Sequence, residues 1–306
     1  MNALRIGTRG SALAQWQAEM VRGRLGALNV GAELVLIRTT GDREAKTPLA
    51  AMGGKGVFVK ELEDALLEGR IDLAVHSMKD VPTELPAGLA IAAICEREDV
   101  RDALISRSGT GLMELPNGAR VGTGSLRRQA QLLHCRPDLQ MVEMRGNVDT
   151  RLAKVARGDC DAIVLAKAGL DRLGMAERIT EVLSTDVSLP AAGQGAIGLE
   201  TRQDDPTVRN CVSKLNHSET QLAVDAERAV LAGLEGGCLL PVGVWGRTQN
   251  REFILEACVL SSDGSEAMRV RRAGLPRDAE KLGRQAAVAL LDRGAGRLLR
   301  PAGRDR

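Results

Sequence analysis

Two short segments of this chain each occur twice, and these repeats constrain its architecture more than any other feature. Arg5-Ile6-Gly7-Thr8-Arg9-Gly10-Ser11 returns as Arg120-Val121-Gly122-Thr123-Gly124-Ser125, and Gly69-Arg70-Ile71-Asp72-Leu73-Ala74-Val75 returns as Gly158-Asp159-Cys160-Asp161-Ala162-Ile163-Val164. In each copy an apolar strand enters a glycine turn and then a Gln-containing amphipathic helix, and a second apolar strand follows later. The pattern predicts two related α/β lobes, each a mostly parallel sheet with helices on its faces. In this register Lys79 and Asp80 stand opposite Ala168 and Gly169. The second copy keeps the strand and lacks the acid.

A chain of 306 residues has room for two or three domains of the usual ~100 to 200 residues. Only two Phe, two Trp and no Tyr are present, so stacking on bases is poorly supplied and no nucleic-acid partner is expected. Forty-two basic residues against forty acidic ones leave a net charge of +2; any anion binding must be local. The chain has no apolar run of the ~18 residues that a membrane span needs, and it begins with strand-like Leu4-Arg5-Ile6 in place of a signal-peptide core. A cytoplasmic protein without membrane contact is the expectation. The cysteines (Cys95, Cys135, Cys160, Cys211, Cys238 and Cys258) form no CxxC pair and no Cys/His metal spacing, so neither a metal site nor a disulfide framework is predicted.

In the first lobe the spacing predicts a strand over 4–8, then a helix capped by Ser11 that turns Leu13, Trp16, Met20 and Val21 inward. A strand over 34–37 precedes a loop containing Gly53-Gly54-Lys55-Gly56, read as a mobile lid, and Gly69 ends the next helix. The strand over 71–75 then runs into His76-Ser77-Met78-Lys79-Asp80-Val81-Pro82, where Pro82 blocks simple continuation. Ligand crevices of open α/β sheets lie at the carboxyl ends of strands, which makes Asp80 a candidate acid or electrostatic stabiliser. The residues alone favour the plainer reading, a surface turn with one ion pair. Glu96-Arg97-Glu98-Asp99 and Pro190-Ala191-Ala192-Gly193-Gln194-Gly195 read as two crossings between lobes, a double hinge, with a strand over 196–199 returning to the first lobe.

The second lobe begins a helix with Ser125-Leu126-Arg127-Arg128. Cations in a first turn oppose the helix dipole, so a bound anion would explain them. Arg145 follows a strand over 140–144 and Arg151 lies on the next helix; arginines that converge imply a multiply anionic ligand, while solvated, scattered arginines remain the alternative. From Asn216 the pattern changes. Ser218 and Gln221 suggest a capping box, the helix ends at Glu235-Gly236-Gly237-Cys238, and three strands with tight turns and a helix over 278–291 predict a small α+β domain with an antiparallel sheet. The expected division is 1–96 with 194–215, then 100–190, then 216–306.

Taken together, Gly53-Gly54-Lys55-Gly56, His76 to Pro82, Gly122 to Arg128, Leu189-Pro190 with Gly193-Gln194-Gly195, and Glu235-Gly236-Gly237-Cys238 resemble the porphobilinogen deaminases, also called hydroxymethylbilane synthases. That resemblance implies two lobes like those of periplasmic binding proteins and a third α/β domain. It implies a transferase of haem and tetrapyrrole biosynthesis that deaminates porphobilinogen, joins the units head to tail and releases hydroxymethylbilane by hydrolysis. It further implies a dipyrromethane cofactor held covalently by Cys238, with Asp80 as the catalytic carboxylate. Lys55, Lys79, Asp80, Ser125, Arg127, Arg128 and Arg145 would contact the cofactor, and Arg9, Ser11, Arg145, Arg151 and Arg172 the substrate. A monomer that passes its product to uroporphyrinogen III synthase is the implied working form. Two departures stand out: Gly124 where the family commonly has serine, and Ala51 where relatives can carry lysine. A non-catalytic two-lobed receptor for an anionic small molecule is the competing class, but it leaves the GGC loop unexplained.

Overall fold

The computed structural model describes residues 3–39, 59–234 and 240–299. It divides into two compact units, Met1–Glu98 with Gly195–Gln221 and Asp99–Gln194 with Leu222–Arg306. The chain therefore changes unit inside both predicted crossings, and once more within a helix.

The first unit opens with β1 (Leu4–Thr8) and α1 (Ala12–Ala27). Ser11 is extended and its side chain accepts a hydrogen bond from the Ala14 amide at 3.2 Å, as an N-cap should. The inward face of α1 differs from the expected one: Gln17, Ala18, Val21 and Leu25 are buried, whereas Trp16 is 37% exposed. Gln17 can go inside because its amide donates to Ser77 Oγ at 2.9 Å, which satisfies the polar group. Next come β2 (Ala32–Leu36) and α2 (Lys60–Leu67), which buries Leu62, Glu63, Ala65 and Leu66. Gly69, at φ +67°, turns the chain out of that helix into β3 (Leu73–Ser77), and β4 (Leu89–Ile94) follows.

The second unit then contributes β5 (Asp102–Ser106), β6 (Arg120–Gly122), α3 (Leu126–Cys135), β7 (Gln140–Val142), α4 (Val148–Arg157), β8 (Ala162–Ala166), α5 (Lys167–Arg172) and β9 (Glu181–Val182). The chain returns to the first unit through β10 (Ile197–Arg202) and α6 (Pro206–Val212). Finally α7 (Ser218–Gly233) leads to β11 (Val242–Gln249), β12 (Glu252–Leu260), β13 (Ala267–Gly274), α8 (Ala279–Asp292) and α9 (Ala295–Leu298). The cap of α7 is shifted from the expected Ser218–Gln221 box. The Thr220 amide donates to His217 Nδ1 at 3.3 Å, and Gln221 accepts instead from Asn216 at 2.7 Å.

Among the described residues three sheets result, ordered β2-β1-β3-β10-β4, β7-β6-β8-β5-β9 and β11-β12-β13. The two five-stranded sheets are topological twins. In one, β10 runs against β3 and β4; in the other, β5 runs against β8 and β9. The remaining strands are parallel where they pair. Arg5 and Arg120 each bond an aspartate at the start of the neighbouring strand: the Arg5 amide donates to Asp72 at 3.0 Å and the Arg120 amide to Asp161 at 2.8 Å. Gly7 and Gly122 also correspond. A Cβ would overlap the Ile71 side chain at the first and lie 2.6 Å from Met144 Cε at the second, so both positions exclude a side chain. The third sheet is antiparallel and packs Val230, Phe253, Leu255 and Ala286 into one core with α7 and α8.

Candidate active site

In the first unit, β1 and β3 are parallel neighbours, so their carboxyl ends share one edge of the sheet. Arg9 and Ser11 follow β1, and Lys79 and Asp80 lie in a 3-10 turn, Met78–Asp80, directly after β3. That turn is held tightly. The Met78 amide donates to Ala196 O at 3.0 Å, and the Met78 side chain fills the space that a Cβ on Gly198 would occupy. Asp80 is half-buried, and its carboxylate takes no hydrogen bond from any described residue.

Directly behind this turn lies a buried ionisable cluster. His76 Nε2 is 2.9 Å from Glu200 Oε2, with side chains 3% and 0% exposed. The other Glu200 oxygen, Oε1, is buried without a hydrogen-bond partner among the described residues. Glu63 faces the pair from α2. Burial first, and then the Glu200 charge, push its carboxyl up to about 7, with His76 opposing.

In the second unit the predicted residues gather at the carboxyl ends of β6, β7 and β8. Ser125 is the N-cap residue of α3, but its side chain makes no capping bond. Arg127 and Arg128 are both buried, and the structure supplies them with a protein anion: Asp102, fully buried at the start of β5, lies 2.9 Å from Arg127 Nη1 and 2.7 Å from Arg128 Nη2. Ser188 and Gln194 also donate to Asp102, at 2.7 and 2.9 Å. Burial alone would raise the Asp102 carboxyl; the two guanidiniums outweigh it and hold the group well below the ordinary range. Arg145 is paired with Glu143 at 2.8 Å, Arg151 donates to Gly146 O at 2.7 Å, and Arg172 is buried on α5. The absent hydroxyl at Gly124 has a steric counterpart: a Cβ there would lie 2.8 Å from the carbonyl oxygen of Met144, the residue before Arg145.

Lys55, Ala51 and Cys238 lie outside the described residues. Of the other cysteines, Cys95, Cys160 and Cys258 are buried, and burial pushes the Cys258 thiol up to about 11. Sequence reasoning missed Asp102, Ser188, Glu63 and Glu200. For Asp102 and Glu200 the visible signal is an acid placed inside an otherwise apolar strand, as in Asp102-Ala103-Leu104-Ile105 and Ile197-Gly198-Leu199-Glu200; Ser188 and Glu63 carry no such signal.

Two family models match this chain. "Porphobilinogen deaminase, dipyromethane cofactor binding domain" covers residues 4–210, and "Porphobilinogen deaminase, C-terminal domain" covers residues 221–292. The chain belongs to the porphobilinogen deaminase family. Its activity is that of a hydroxymethylbilane synthase, a transferase of tetrapyrrole biosynthesis that acts on porphobilinogen and uses a dipyrromethane cofactor.

Among solved structures, the chain is similar to a periplasmic sulfonate-binding protein from Methylobacillus flagellatus KT, at 15% identity over 69% of this chain and 66% of that one, with a TM-score of 0.40. A methionine-binding protein matches at 15% identity over 70% and 89%, TM-score 0.47. A periplasmic substrate-binding protein from Coxiella burnetii matches at 16% identity over 74% and 96%, TM-score 0.42. Among the described residues, no helix is long and apolar enough to cross a membrane.

The donor set of the second unit fits a carboxylate-bearing cofactor. Two guanidiniums share the single Asp102 carboxylate, which leaves one positive charge in excess. Arg127 Nε is buried without a hydrogen-bond partner among the described residues.

Proposed function

We propose that Asp80 is the catalytic carboxylate, that Cys238 holds the dipyrromethane through its sulfur, and that the cationic residues after the strands bind acetate and propionate groups. Lys55, Lys79, Ser125, Arg127, Arg128 and Arg145 serve the cofactor; Arg9, Ser11, Arg145, Arg151 and Arg172 serve the substrate. Three domains carry these roles: 1–96 with 194–215 for the acid and the lid, 100–190 for carboxylate binding, and 216–306 for the cofactor anchor. The enzyme works as a cytoplasmic monomer that passes its product to uroporphyrinogen III synthase.

The observation that carries this reading is the state of Asp80: a half-buried carboxylate at the carboxyl end of β3, on a pinned turn, engaged by no described residue. When porphobilinogen loses ammonia, the departing nitrogen takes the bonding pair and leaves a cation on the pyrrole. A fixed carboxylate in a partly desolvated site stabilises that cation more than water does, because it needs no reorganisation as charge develops. When bound, the dipyrromethane supplies the nucleophilic pyrrole carbon on which the chain grows. Asp80 then accepts the proton released as the new carbon–carbon bond forms. The arginines hold the acidic side chains and thereby orient the rings. In the sequence Cys238 follows Gly236 and Gly237, two residues of the least restricted type.

Intact-protein mass spectrometry tests the anchor. Wild-type protein should carry the mass of a dipyrrole, and Cys238→Ala should carry none; a dipyrrole that stays on Cys238→Ala would contradict the assignment.

A further inference from the structure

The twin sheets allow a position-by-position comparison of their cores. Strand register places Leu199 opposite Val75 and Gly198 opposite His76 in one sheet, and Leu104 opposite Val164 and Ala103 opposite Leu165 in the other. With Val75 equivalent to Val164 in the repeat, His76 corresponds to Leu165 and Glu200 to Ile105. The repeat also aligns Gly69 with Gly158, and so Glu63 with Leu152. Leu152, Leu165 and Ile105 are all buried members of one apolar cluster in the second unit. The same fold thus fills these three positions with aliphatic side chains in one unit and with Glu63, His76 and Glu200 in the other.

A buried ion pair is a poor way to stabilise a core, and well-packed apolar residues of similar volume usually do as well or better. In the second unit the same sheet is built without these polar groups. What the first unit has, and the second lacks, is the Lys79-Asp80 turn. His76 sits at the exit of β3, immediately before that turn, and its bond to Glu200 ties β3 to β10. Beyond this tie, the turn is also held by the Met78 amide bond to Ala196, the residue before β10, and by the contact of Met78 with Gly198 on β10. From α1, Gln17 bonds Ser77.

We infer that His76 and Glu200, with Glu63 beside them, are positioning residues that fix the carboxyl end of β3 and thereby the placement of Asp80. The aliphatic pair of the second unit packs between β8 and β5 but adds no directional bond to the strand ladder; a hydrogen bond between two buried side chains does so between β3 and β10. Glu63 lies beside the pair, its carboxyl pushed up by burial and by Glu200 and held back by His76. Asp64, also on α2, acts on Glu63 as well.

This inference rests on Asp80 being the catalytic carboxylate, and the test separates the two. The double variant His76→Leu with Glu200→Ile installs the second unit's pair in the first. It should fold with an unchanged or higher Tm and keep KM within about twofold, while kcat falls about tenfold or more, since displacement of a catalytic group by ~1 Å can cost 100-fold. Glu200→Gln, which preserves a hydrogen bond to His76, should keep kcat within about threefold. A double variant with wild-type kcat would overturn the inference, and so would one that does not fold, because the pair would then serve the core alone. Equal kcat losses in Glu200→Gln and the double variant would also overturn it. Asp80→Asn measured alongside identifies the alternative failure: near-normal turnover there removes the Asp80 assignment itself.

Discussion

The two five-stranded sheets agree in strand order, in the Arg–Asp pair at the start of the strands, and in the glycines that admit neighbouring side chains. They differ in where each buries charge. In the first unit the charge is the Glu63–His76–Glu200 cluster, opposite Leu152, Leu165 and Ile105 of the second. In the second unit it is Asp102 with Arg127 and Arg128, and there the register puts Ile197 opposite Asp102. With Ser11 and Ser125 aligned, Leu13 and Ala14 take the places of the two arginines. Each sheet is therefore a control for the other. Features common to both make the fold, and on the proposed reading features confined to one serve its chemistry: an acid on the first, cations on the second.

The largest expected effect comes from breaking the second unit's cluster. Asp102→Ala leaves two buried guanidiniums facing each other and should cost about 3 to 5 kcal/mol in denaturant unfolding. Importing the first unit's apolar set, Asp102→Ile with Arg127→Leu and Arg128→Ala, should restore stability to within about 1 kcal/mol while abolishing cofactor retention by mass. If the triple variant were as unstable as Asp102→Ala, the twin comparison would fail at this position.

A smaller effect, with a defined pH signature, is expected at Glu63. Its folded-state carboxyl is raised from the ordinary carboxylate value to about 7, so the folded state holds a proton that the unfolded chain releases. The contribution of Glu63 to stability is therefore fully present below about pH 4.5 and is lost as pH rises to about 7. Glu63→Gln should remove that decline and raise stability at pH 8 by about 2 kcal/mol, with no gain near pH 4.5. Parallel stability–pH curves for variant and wild type would contradict the assignment. The smallest effect is expected for Gly124→Ser, whose Cβ would press on Met144 O. A loss of about 1 kcal/mol is predicted, with a raised KM because Arg145 is the next residue. Unchanged KM and Tm would show that the loop yields freely.

Much of this was legible in the sequence because it is local. Repeated strand–turn–helix segments disclosed the twin sheets, Ser11 announced a cap, and Gly69 a helix end. What was not legible depends on partners distant in the chain. Counting apolar residues turned Trp16 inward in α1, whereas Gln17 is buried because Ser77, on another element, receives its amide. The arginines at the start of α3 called for an anion, and the nearest one is Asp102 on β5. His76 was visible within its motif, but its partner Glu200 arrives only when β10 returns to the sheet. The cap of α7 is an imidazole nitrogen, which a Ser-x-x-Gln pattern does not anticipate.

The most direct test of the account is the turnover of Asp80→Asn beside its twin-site counterpart, Gly169→Ala. Asp80→Asn should keep the wild-type Tm and still bind porphobilinogen, but lose about 100-fold or more in kcat. Gly169→Ala should leave kcat within about twofold. Near-normal kcat in Asp80→Asn would contradict the claim that the first unit carries the acid.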